Sequence, residues 1–192
     1  MEPCVAALGF FDGVHRGHQA LLSLASRRGR ELGLISCAVS FDRHPASVLS
    51  GRDIPLLIPD AAGRAAALQK WGRVDKVILL PFDRRVAELP YEEFVKRVLI
   101  GECGARHLVM GQNYTCGAGA GGVPEKIVTL CRTLGVGTDV VPSVFVDGKV
   151  VSSTRIRALL SQGDWAEAEK LLGYPVGELG FWNDCTNEEG SR

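Results

Sequence analysis

The sequence lacks the features that mark several large classes of protein. No apolar run approaches the roughly 20 residues of a membrane-spanning helix, so we expect no membrane association. The formal net charge is +0, with 22 lysines and arginines against 22 aspartates and glutamates, which argues against a general nucleic-acid-binding surface. The N-terminus has no basic region followed by a signal-type apolar core, and we therefore expect a cytoplasmic location.

The cysteines and the first glycine cluster also argue against particular kinds of structure and site. The six cysteines include no Cys-x-x-Cys pair and no regular spacing, so we expect reduced thiols, mostly in the core, rather than a disulfide framework. Between Leu8 and Gln19 there is neither a Gly-x-Gly-x-x-Gly dinucleotide fingerprint nor a Gly-x4-Gly-Lys-Ser/Thr P-loop, and these two phosphate sites are disfavoured there.

The sequence does have a strand, a glycine-rich turn and a helix start in direct succession near its N-terminus. The apolar run Val5–Leu8 leads into the turn, and the amphipathic run Ala20–Leu32 leads out of it. Phosphate binds at such turns in α/β proteins. His15 and His18, three apart in the first helical turn, share a face and can point at one anion. Gly17 lacks the Cβ that would keep a phosphate away from the backbone.

Two other interpretations of this turn stay open. Two histidines at this spacing are compatible with a structural zinc site, although Asp12 is the sole neighbouring carboxylate or thiol in motif spacing. The segment could also be an ordinary strand–turn–helix connection whose histidines have no function. Other segments of the sequence are needed to distinguish these interpretations from phosphate binding.

Hydrophobic patterning predicts buried strands that alternate with amphipathic helices, which is an α/β fold. The predicted strands are Val5–Phe10, Leu34–Ser40, Lys76–Phe82, His107–Gly111 and Thr138–Val141. The short returns between them imply parallel crossovers. Asp147-Gly148 between two short apolar runs predicts a β-hairpin. We expect residues 46–59 to be irregular, Asp60 to cap the following helix, and Ser153 or Thr154 to cap a later one.

Three later segments carry polar or aromatic residues where ligands bind in such folds. Phe41–Pro45 follows the second strand, and Asn113–Gly117 follows the fourth. Tyr114 could stack on a flat ring. After the hairpin, hydroxyls precede Arg157, whose planar cation can grip two phosphate oxygens at once. Taken singly, these segments also fit ordinary loops and a capped surface helix.

Together, the segments resemble the FMN adenylyltransferase (FAD synthetase) module of bacterial bifunctional riboflavin kinase/FAD synthetases, in the nucleotidyltransferase superfamily. His15-Arg16-Gly17-His18 resembles the His-x-Gly-His signature, and Val151–Arg157 resembles Ile-Ser-Ser-Thr-x-Ile-Arg with valine in place of the first isoleucine. The resemblance covers residues 5–175. It implies a Rossmann-like α/β/α fold with a mainly parallel five-stranded sheet and a small hairpin.

Two loops depart from the pattern of the family. Phe41–Pro45 resembles Phe-Asp-Pro-His-Pro, with Arg43 in place of a proline that would stiffen the loop. The second loop resembles Gly-x-Asn-Phe-x-Phe-Gly, with Tyr114 and Cys116 in place of the two phenylalanines. We expect the smaller Cys116 to reshape the flavin cleft; as a redox-active thiol it would have no partner cysteine in motif spacing.

The resemblance implies a FAD synthetase that transfers AMP from ATP to FMN and releases pyrophosphate, with Mg²⁺ as cofactor. It assigns catalysis to His15, His18 and Arg157. The implied ATP-binding residues are Gly9, Phe10, Phe11, Asp12, Gly13, His15, Gly17, His18, Ser153, Thr154 and Arg157. The implied flavin-binding residues are Phe41, Asp42, Arg43, His44, Pro45, Asn113, Tyr114, Thr115, Cys116 and Gly117. Asn113 is also a candidate magnesium ligand.

The expected organisation is a transferase domain at 1–175 and a polar C-terminal tail at 176–192. A riboflavin kinase barrel needs about 100 residues, so the tail is too short to hold one. We therefore expect a separate riboflavin kinase or a flavoprotein client as a partner. Two alternatives remain: a nucleotidyltransferase with a different phosphorylated acceptor, and a non-catalytic module that binds flavin or ATP.

Overall fold

The computed structural model describes residues 1–179 and is built around a five-stranded sheet in the order β3-β2-β1-β4-β5. The strands are Cys4–Leu8 (β1), Ile35–Phe41 (β2), Lys76–Leu80 (β3), Ala105–Gly111 (β4) and Gly137–Val141 (β5). All four pairings in this sheet are parallel. A small antiparallel hairpin follows, formed by Phe145–Val146 (β6) and Lys149–Val150 (β7). The predicted fold class is confirmed.

Helices connect the strands and cover both faces of the sheet. The α-helices are Arg16–Leu32 (α1), Pro45–Ser50 (α2), Ala61–Gly72 (α3), Arg84–Ala87 (α4), Tyr91–Glu93 (α5), Pro124–Thr133 (α6), Ser153–Ser161 (α7) and Trp165–Leu172 (α8). A π-helix, Phe94–Glu102, continues α5, and short 3₁₀ turns occupy Ala118–Ala120 and Val176–Leu179. No helix within residues 1–179 is long and apolar enough to cross a membrane.

Strand β1 lies at the centre of the sheet and is buried along its whole length. Cys4, Ala6 and Leu8 face an apolar layer formed with the π-helix and α6. Val5 and Ala7 face the opposite layer, formed with α1 and α3. This double burial explains the continuous apolar run in the sequence, which is typical of a central parallel strand. It also brings the carboxyl ends of β1, β2 and β4 to one edge, where a ligand can reach the loops that follow them.

The structure corrects two local predictions and confirms a third. Residues 46–59 are not wholly irregular, because Pro45–Ser50 forms α2, capped by the His44 side chain, which accepts a hydrogen bond from Ala46 N at 3.1 Å. The N-cap of α7 is Ser152, and neither Ser153 nor Thr154. Asp60 does cap α3, as predicted, accepting from Gly63 N.

The packed part of the chain extends past the expected boundary at residue 175. Val176 and Leu179 are buried in a third apolar cluster with α7 and α8. The first four residues of the expected tail therefore belong to the packed domain. Its remainder, 180–192, and Cys185 lie outside the described residues.

Candidate active site

The turn between β1 and α1 has an unusually strained backbone. Phe11 and Val14 have φ values of 60° and 35°, in the left-handed region that side chains with a Cβ rarely adopt. Gly13 has φ 77°, and a Cβ at that position would lie 2.5 Å from Leu57 Cδ1. The chain therefore needs a glycine here. Such strained turns persist where the surrounding structure holds them, and they cluster at functional sites.

His15 and His18 stack at the start of α1. Their ring centroids are 3.7 Å apart with an interplanar angle of 13°, and His15 Nδ1 accepts a hydrogen bond from His18 N at 3.4 Å. A Cβ on Gly17 would lie 3.2 Å from the His15 ring. The glycine of the first signature therefore also makes room for the first histidine, a role that the sequence analysis did not assign to it.

Both histidines are neutral at pH 7 in the free protein. Burial lowers the pKa of His15 from 6.5 to about 4. Burial, with a smaller contribution from neighbouring His15, lowers the pKa of His18 well below its ordinary value. Because His15 Nδ1 accepts a backbone N–H, its neutral ring carries the proton on Nε2. His15 can thus donate a hydrogen bond from Nε2 without carrying a charge.

Asp12 joins the two signatures. Its Oδ1 accepts hydrogen bonds from Leu57 N at 2.8 Å and Ile58 N at 3.1 Å, and its Oδ2 pairs with Arg157 Nη1 at 2.8 Å. Ser153 Oγ donates to the Asp12 backbone oxygen at 2.8 Å. The carboxylate is 5% exposed. Burial raises the pKa of Asp12, while the two backbone hydrogen bonds and Arg157 act in the opposite direction.

The two signatures open into one cavity of about 430 Å³, which we call the first cavity. From the predicted ATP-binding set, the structure brings together around it Gly9, Phe10, Phe11, Asp12, His15, Gly17, His18, Ser153, Thr154 and Arg157. Gly13 is the one member that does not line it. Residues 1–179 thus contain a pocket, within the size range of small-molecule sites, where the ends of β1, β4 and α7 meet.

The predicted flavin-binding residues divide between two cavities. His44, Asn113 and Tyr114 line the first cavity. A second cavity, of about 310 Å³ and mostly apolar, is lined by Phe41, Pro45, Leu49, Phe82, Val86, Ala87, Phe94, Thr115, Cys116, Gly117, Gly119 and Ala120. Some chain neighbours line different cavities: His44 and Tyr114 line the first, whereas Pro45 and Thr115 line the second. Asp42 and Arg43 line neither of them.

The loop after β4 is fixed by its glycines. A Cβ on Gly117 would lie 2.5 Å from the Tyr91 backbone, and one on Gly122 would lie 2.5 Å from Tyr91 Cβ. Cys116 and Gly122 exchange two backbone hydrogen bonds, of 3.0 and 2.9 Å. The loop is therefore folded onto the start of α5. Burial raises the pKa of Cys116 to about 12, which keeps its thiol neutral and disfavours thiolate chemistry.

Arg64, which is fully buried on α3, was not predicted as a site residue. Its Nη2 donates to Phe41 O at 2.7 Å and Asp42 O at 3.0 Å, so it holds the loop in which Arg43 replaces proline. No sequence pattern marked it, because the burial of Arg64 with Leu68 and Gly72 on one face of α3 becomes evident only in the fold.

The described part of the chain does not assemble the donors of a protein-only metal site. Within residues 1–179, no group of three or more His, Cys, Asp and Glu side chains is placed to hold a metal ion. Both Asp12 oxygens are engaged by Arg157 and by backbone N–H groups. Among the described residues, the stacked pair of His15 and His18 has no third protein ligand, so the zinc interpretation gains no support.

A parallel α/β sheet, with a histidine pair at the start of α1 and an arginine from α7 in one cavity, is the arrangement that the resemblance to nucleotidyltransferases implies. The family model described as FAD synthetase matches residues 1–155, and the chain belongs to the FAD synthetase family. A bifunctional riboflavin kinase/FMN adenylyltransferase from Pseudomonas fluorescens is 37% identical over 172 residues, 90% of this chain and 55% of that protein. Its counterpart from Escherichia coli (strain K12) is 32% identical over 176 residues, 91% of this chain and 55% of that protein.

A solved structure has the same fold. It is described as a macrolide-efflux protein from Streptococcus pneumoniae, with a TM-score of 0.79 and 29% identity, and the match covers 91% of this chain and 56% of that one. The chain thus spans about half the length of the curated relatives above. The comparisons therefore establish the family and the fold of this chain, which matches one part of those longer proteins.

Proposed function

We propose that this chain transfers AMP from ATP to FMN, producing FAD and pyrophosphate. An FMN phosphate oxygen attacks the α-phosphorus of ATP in line, the bond from that phosphorus to the bridging oxygen breaks, and pyrophosphate leaves. The observation that carries the proposal is the first cavity, where both signatures meet two loops predicted to bind flavin. No nucleophilic side chain is needed, so catalysis comes from positioning and from stabilising charge on the phosphoryl oxygens.

His15 and His18 supply uncharged hydrogen-bond donors in this proposal. Their burial keeps them neutral, so they bind a phosphoryl group by directed N–H donation. Stacking against one another fixes both rings before substrate arrives, and His15 is also held as the N-cap of α1. The positive end of α1 adds to the stabilisation of a phosphate placed at its start.

Arg157 supplies the positive charge for the β- and γ-phosphates. Asp12 fixes its Nη1, and Nη2 donates to Thr154 Oγ1 at 3.2 Å. The side chain remains 25% exposed and lines the first cavity, so a phosphate can reach it while the Asp12 contact persists. Ser153 and Thr154 lie in the same first turn of α7 and border the same phosphates.

The isoalloxazine ring of FMN occupies the second cavity in this proposal. Phe41 and Phe82 meet edge to face there, with centroids 4.8 Å apart, and Phe94 closes the apolar wall. His44 and Tyr114 line the first cavity, and their chain neighbours Pro45 and Thr115 line the second. We infer that an FMN molecule whose ring is in the second cavity directs its phosphate toward the first.

Mg²⁺ is the cofactor that the family implies, and the residues present fit an ion carried by the substrate phosphates. When bound, it neutralises phosphate charge and keeps much of its water, so it needs few protein ligands. Asn113 is exposed and lines the first cavity, where its amide oxygen can serve as one ligand.

The setting of the enzyme is also proposed. We infer one transferase domain, for which sequence analysis set the bounds 1–175, acting in the cytoplasm on small molecules without nucleic acid or a membrane. Its FMN comes from a riboflavin kinase, and its FAD passes to flavoprotein clients.

The test is to mix the protein with FMN, ATP and Mg²⁺ and to follow flavin fluorescence, which falls as FAD forms. Chromatography then identifies FAD and pyrophosphate. We expect His18→Ala to lose at least about 10²-fold in rate, the scale for one lost oxyanion-type donor. His107→Gln is the matched control, because His107 bonds Asp139 and lines neither cavity.

Three results would contradict the proposal in different ways. Near-wild-type turnover in His18→Ala removes His18 from the mechanism. ATP binding without FAD formation assigns the chain a different phosphorylated acceptor, to be sought by screening. Binding of both ATP and FMN without any turnover makes it a non-catalytic module.

A further inference from the structure

Arg64 is a buried cation whose hydrogen bonds all go to the backbone. It is 0% exposed, and it takes part in none of the ion pairs within residues 1–179. Its two short hydrogen bonds go to the carbonyls of Phe41 and Asp42, and two longer ones, of 3.5 and 3.4 Å, go to those of Ile58 and Pro59. Buried charges are normally paired with an opposite charge, so this arrangement needs an explanation.

The segments that Arg64 holds belong to both substrate cavities. Phe41 lines the second cavity. The guanidinium carbon lies 4.3 Å from the centroid of Phe10, a first-cavity residue whose ring meets His44 at 4.6 Å. Ile58 N is bound in turn by Asp12, which fixes Arg157. One side chain therefore contacts the loop after β2, the turn after β1 and the segment before α3.

Stability alone does not require an arginine at this position. The buried Arg64 Nε has no hydrogen-bond partner within the described chain, and burial lowers the pKa of the guanidinium. Buried ionic groups can often be replaced by apolar side chains of similar volume at little cost. What an apolar side chain or a lysine cannot supply is a planar fork that reaches carbonyls from two separate segments.

We propose that Arg64 is a positioning residue for FMN. It holds residues 41–45 in a fixed position relative to the first cavity, where ATP is proposed to bind. This inference rests on the proposed function. Both short hydrogen bonds go to the 41–45 loop, and the Phe10 contact leads to His44 in the same loop. The histidine pair and Arg157 are held by other contacts. Loss of Arg64 should therefore weaken FMN binding more than ATP binding.

The test compares Arg64→Met, Arg64→Lys and a control, Lys70→Met. Lys70 is on the same helix, is half exposed and pairs with Glu178 away from both substrate loops. We expect Arg64→Met to raise KM for FMN about 10-fold, the scale of two lost hydrogen bonds, with KM for ATP changed far less. Arg64→Lys keeps the charge and should remain impaired for FMN, and Lys70→Met should leave both constants unchanged.

A second measurement separates this inference from the proposed function. FMN binding, followed by flavin fluorescence, gives Kd without turnover, and hydrogen exchange reports the order of residues 41–45 without any substrate. If wild-type protein binds FMN but forms no FAD, the proposed function is wrong. The ratio of the FMN Kd values of Arg64→Met and wild type would still test the role of Arg64.

Two outcomes would overturn the inference. One is an equal rise in the FMN and ATP constants of Arg64→Met. The other is a lower Tm with unchanged FMN affinity and unchanged exchange at 41–45, which would make Arg64 merely structural. If Arg64→Met does not fold, Arg64→Lys carries the same comparison.

Discussion

The first and second cavities are stabilised by different chemistry. Around the first, polar side chains reach across the fold: Asp12 binds Arg157 and two backbone N–H groups, and Gln19 Nε2 donates to Val14 O at 2.9 Å and to Leu172 O at 2.8 Å. Around the second, aromatic rings pack edge to face, and a glycine-rich loop closes on the backbone of Tyr91.

The difference matches what each cavity is proposed to bind. A phosphate chain is recognised by donors and charges whose directions are fixed in advance, and fixing them takes a bonded network. A flat ring is recognised by apolar surface and shape, which packing alone can supply. Substitutions that break the network should therefore lower stability and impair the function of the ATP-binding side together. Substitutions in the second cavity should mainly weaken FMN binding.

The largest effect is expected at Asp12. Asp12→Ala leaves the buried N–H groups of Leu57 and Ile58 without an acceptor and leaves Arg157 without its partner. Breaking one partner of a buried pair costs about 3–5 kcal/mol. We expect a loss of that size in the free energy of unfolding, measured by urea denaturation with tryptophan fluorescence.

The control for Asp12 is Asp164→Ala, which removes an exposed N-cap from α8. Its expected cost is about 1 kcal/mol. Asp12→Asn keeps an acceptor for the backbone N–H groups and should fall between the two. If Asp12→Ala is no less stable than Asp164→Ala, the network does not hold the first cavity together.

A smaller change in the free energy of unfolding is expected from the protonation of His15 at low pH. The unfolded chain protonates this histidine near pH 6.5, whereas the folded protein does so only at about 4. The contribution of the neutral His15 ring to the free energy of unfolding is therefore fully present above pH 6.5 and is lost as the pH falls to 4. At 1.36 kcal/mol per pKa unit, the loss is about 3 kcal/mol.

The measurement compares urea denaturation of wild type and His15→Gln between pH 7 and pH 4. The variant should lose less stability over this range, by about 3 kcal/mol. His44→Gln is the comparison from elsewhere in the first cavity; burial also lowers the pKa of His44, but its ring is less buried. Parallel curves for wild type and His15→Gln would show that His15 is not buried as a neutral ring.

Sequence patterns predicted the parts of this molecule that depend on local information. The five strands were recognisable because each is a short apolar run bounded by turn residues. The two signatures were recognisable because their residues are contiguous: His15, Gly17 and His18 in one segment, and Ser153, Thr154 and Arg157 in the other. All six line the first cavity.

Contacts between distant segments could not be predicted in this way. Asp12 was expected among the ATP-binding residues, but its bonds to Leu57 and Arg157 were not, because these partners lie 45 and 145 positions away. Arg64 reads as a surface arginine in an alanine-rich helix until the 41–45 loop folds over it. Helix α2 was missed because its cap, His44, is a residue type that seldom signals a helix start.

The smallest expected effect, and the one that most directly separates the two cavities, comes from Gly117→Ala. Its Cβ would lie 2.5 Å from both Cα and N of Tyr91, backbone atoms that cannot move aside. We expect the loop to shift, KM for FMN to rise about 10-fold and KM for ATP to stay nearly unchanged, with about 1–3 kcal/mol of stability lost through the left-handed backbone.

Gly119→Ala is the matched control for this variant. Gly119 also has a positive φ and also lines the second cavity, but a Cβ there has no atom within 4 Å. The two variants share the backbone penalty and differ in the clash with Tyr91. An FMN-specific loss in Gly117→Ala alone would show that close packing of the loop on Tyr91 shapes the second cavity. Equal kinetics in the two variants would mean that this packing does not control FMN binding.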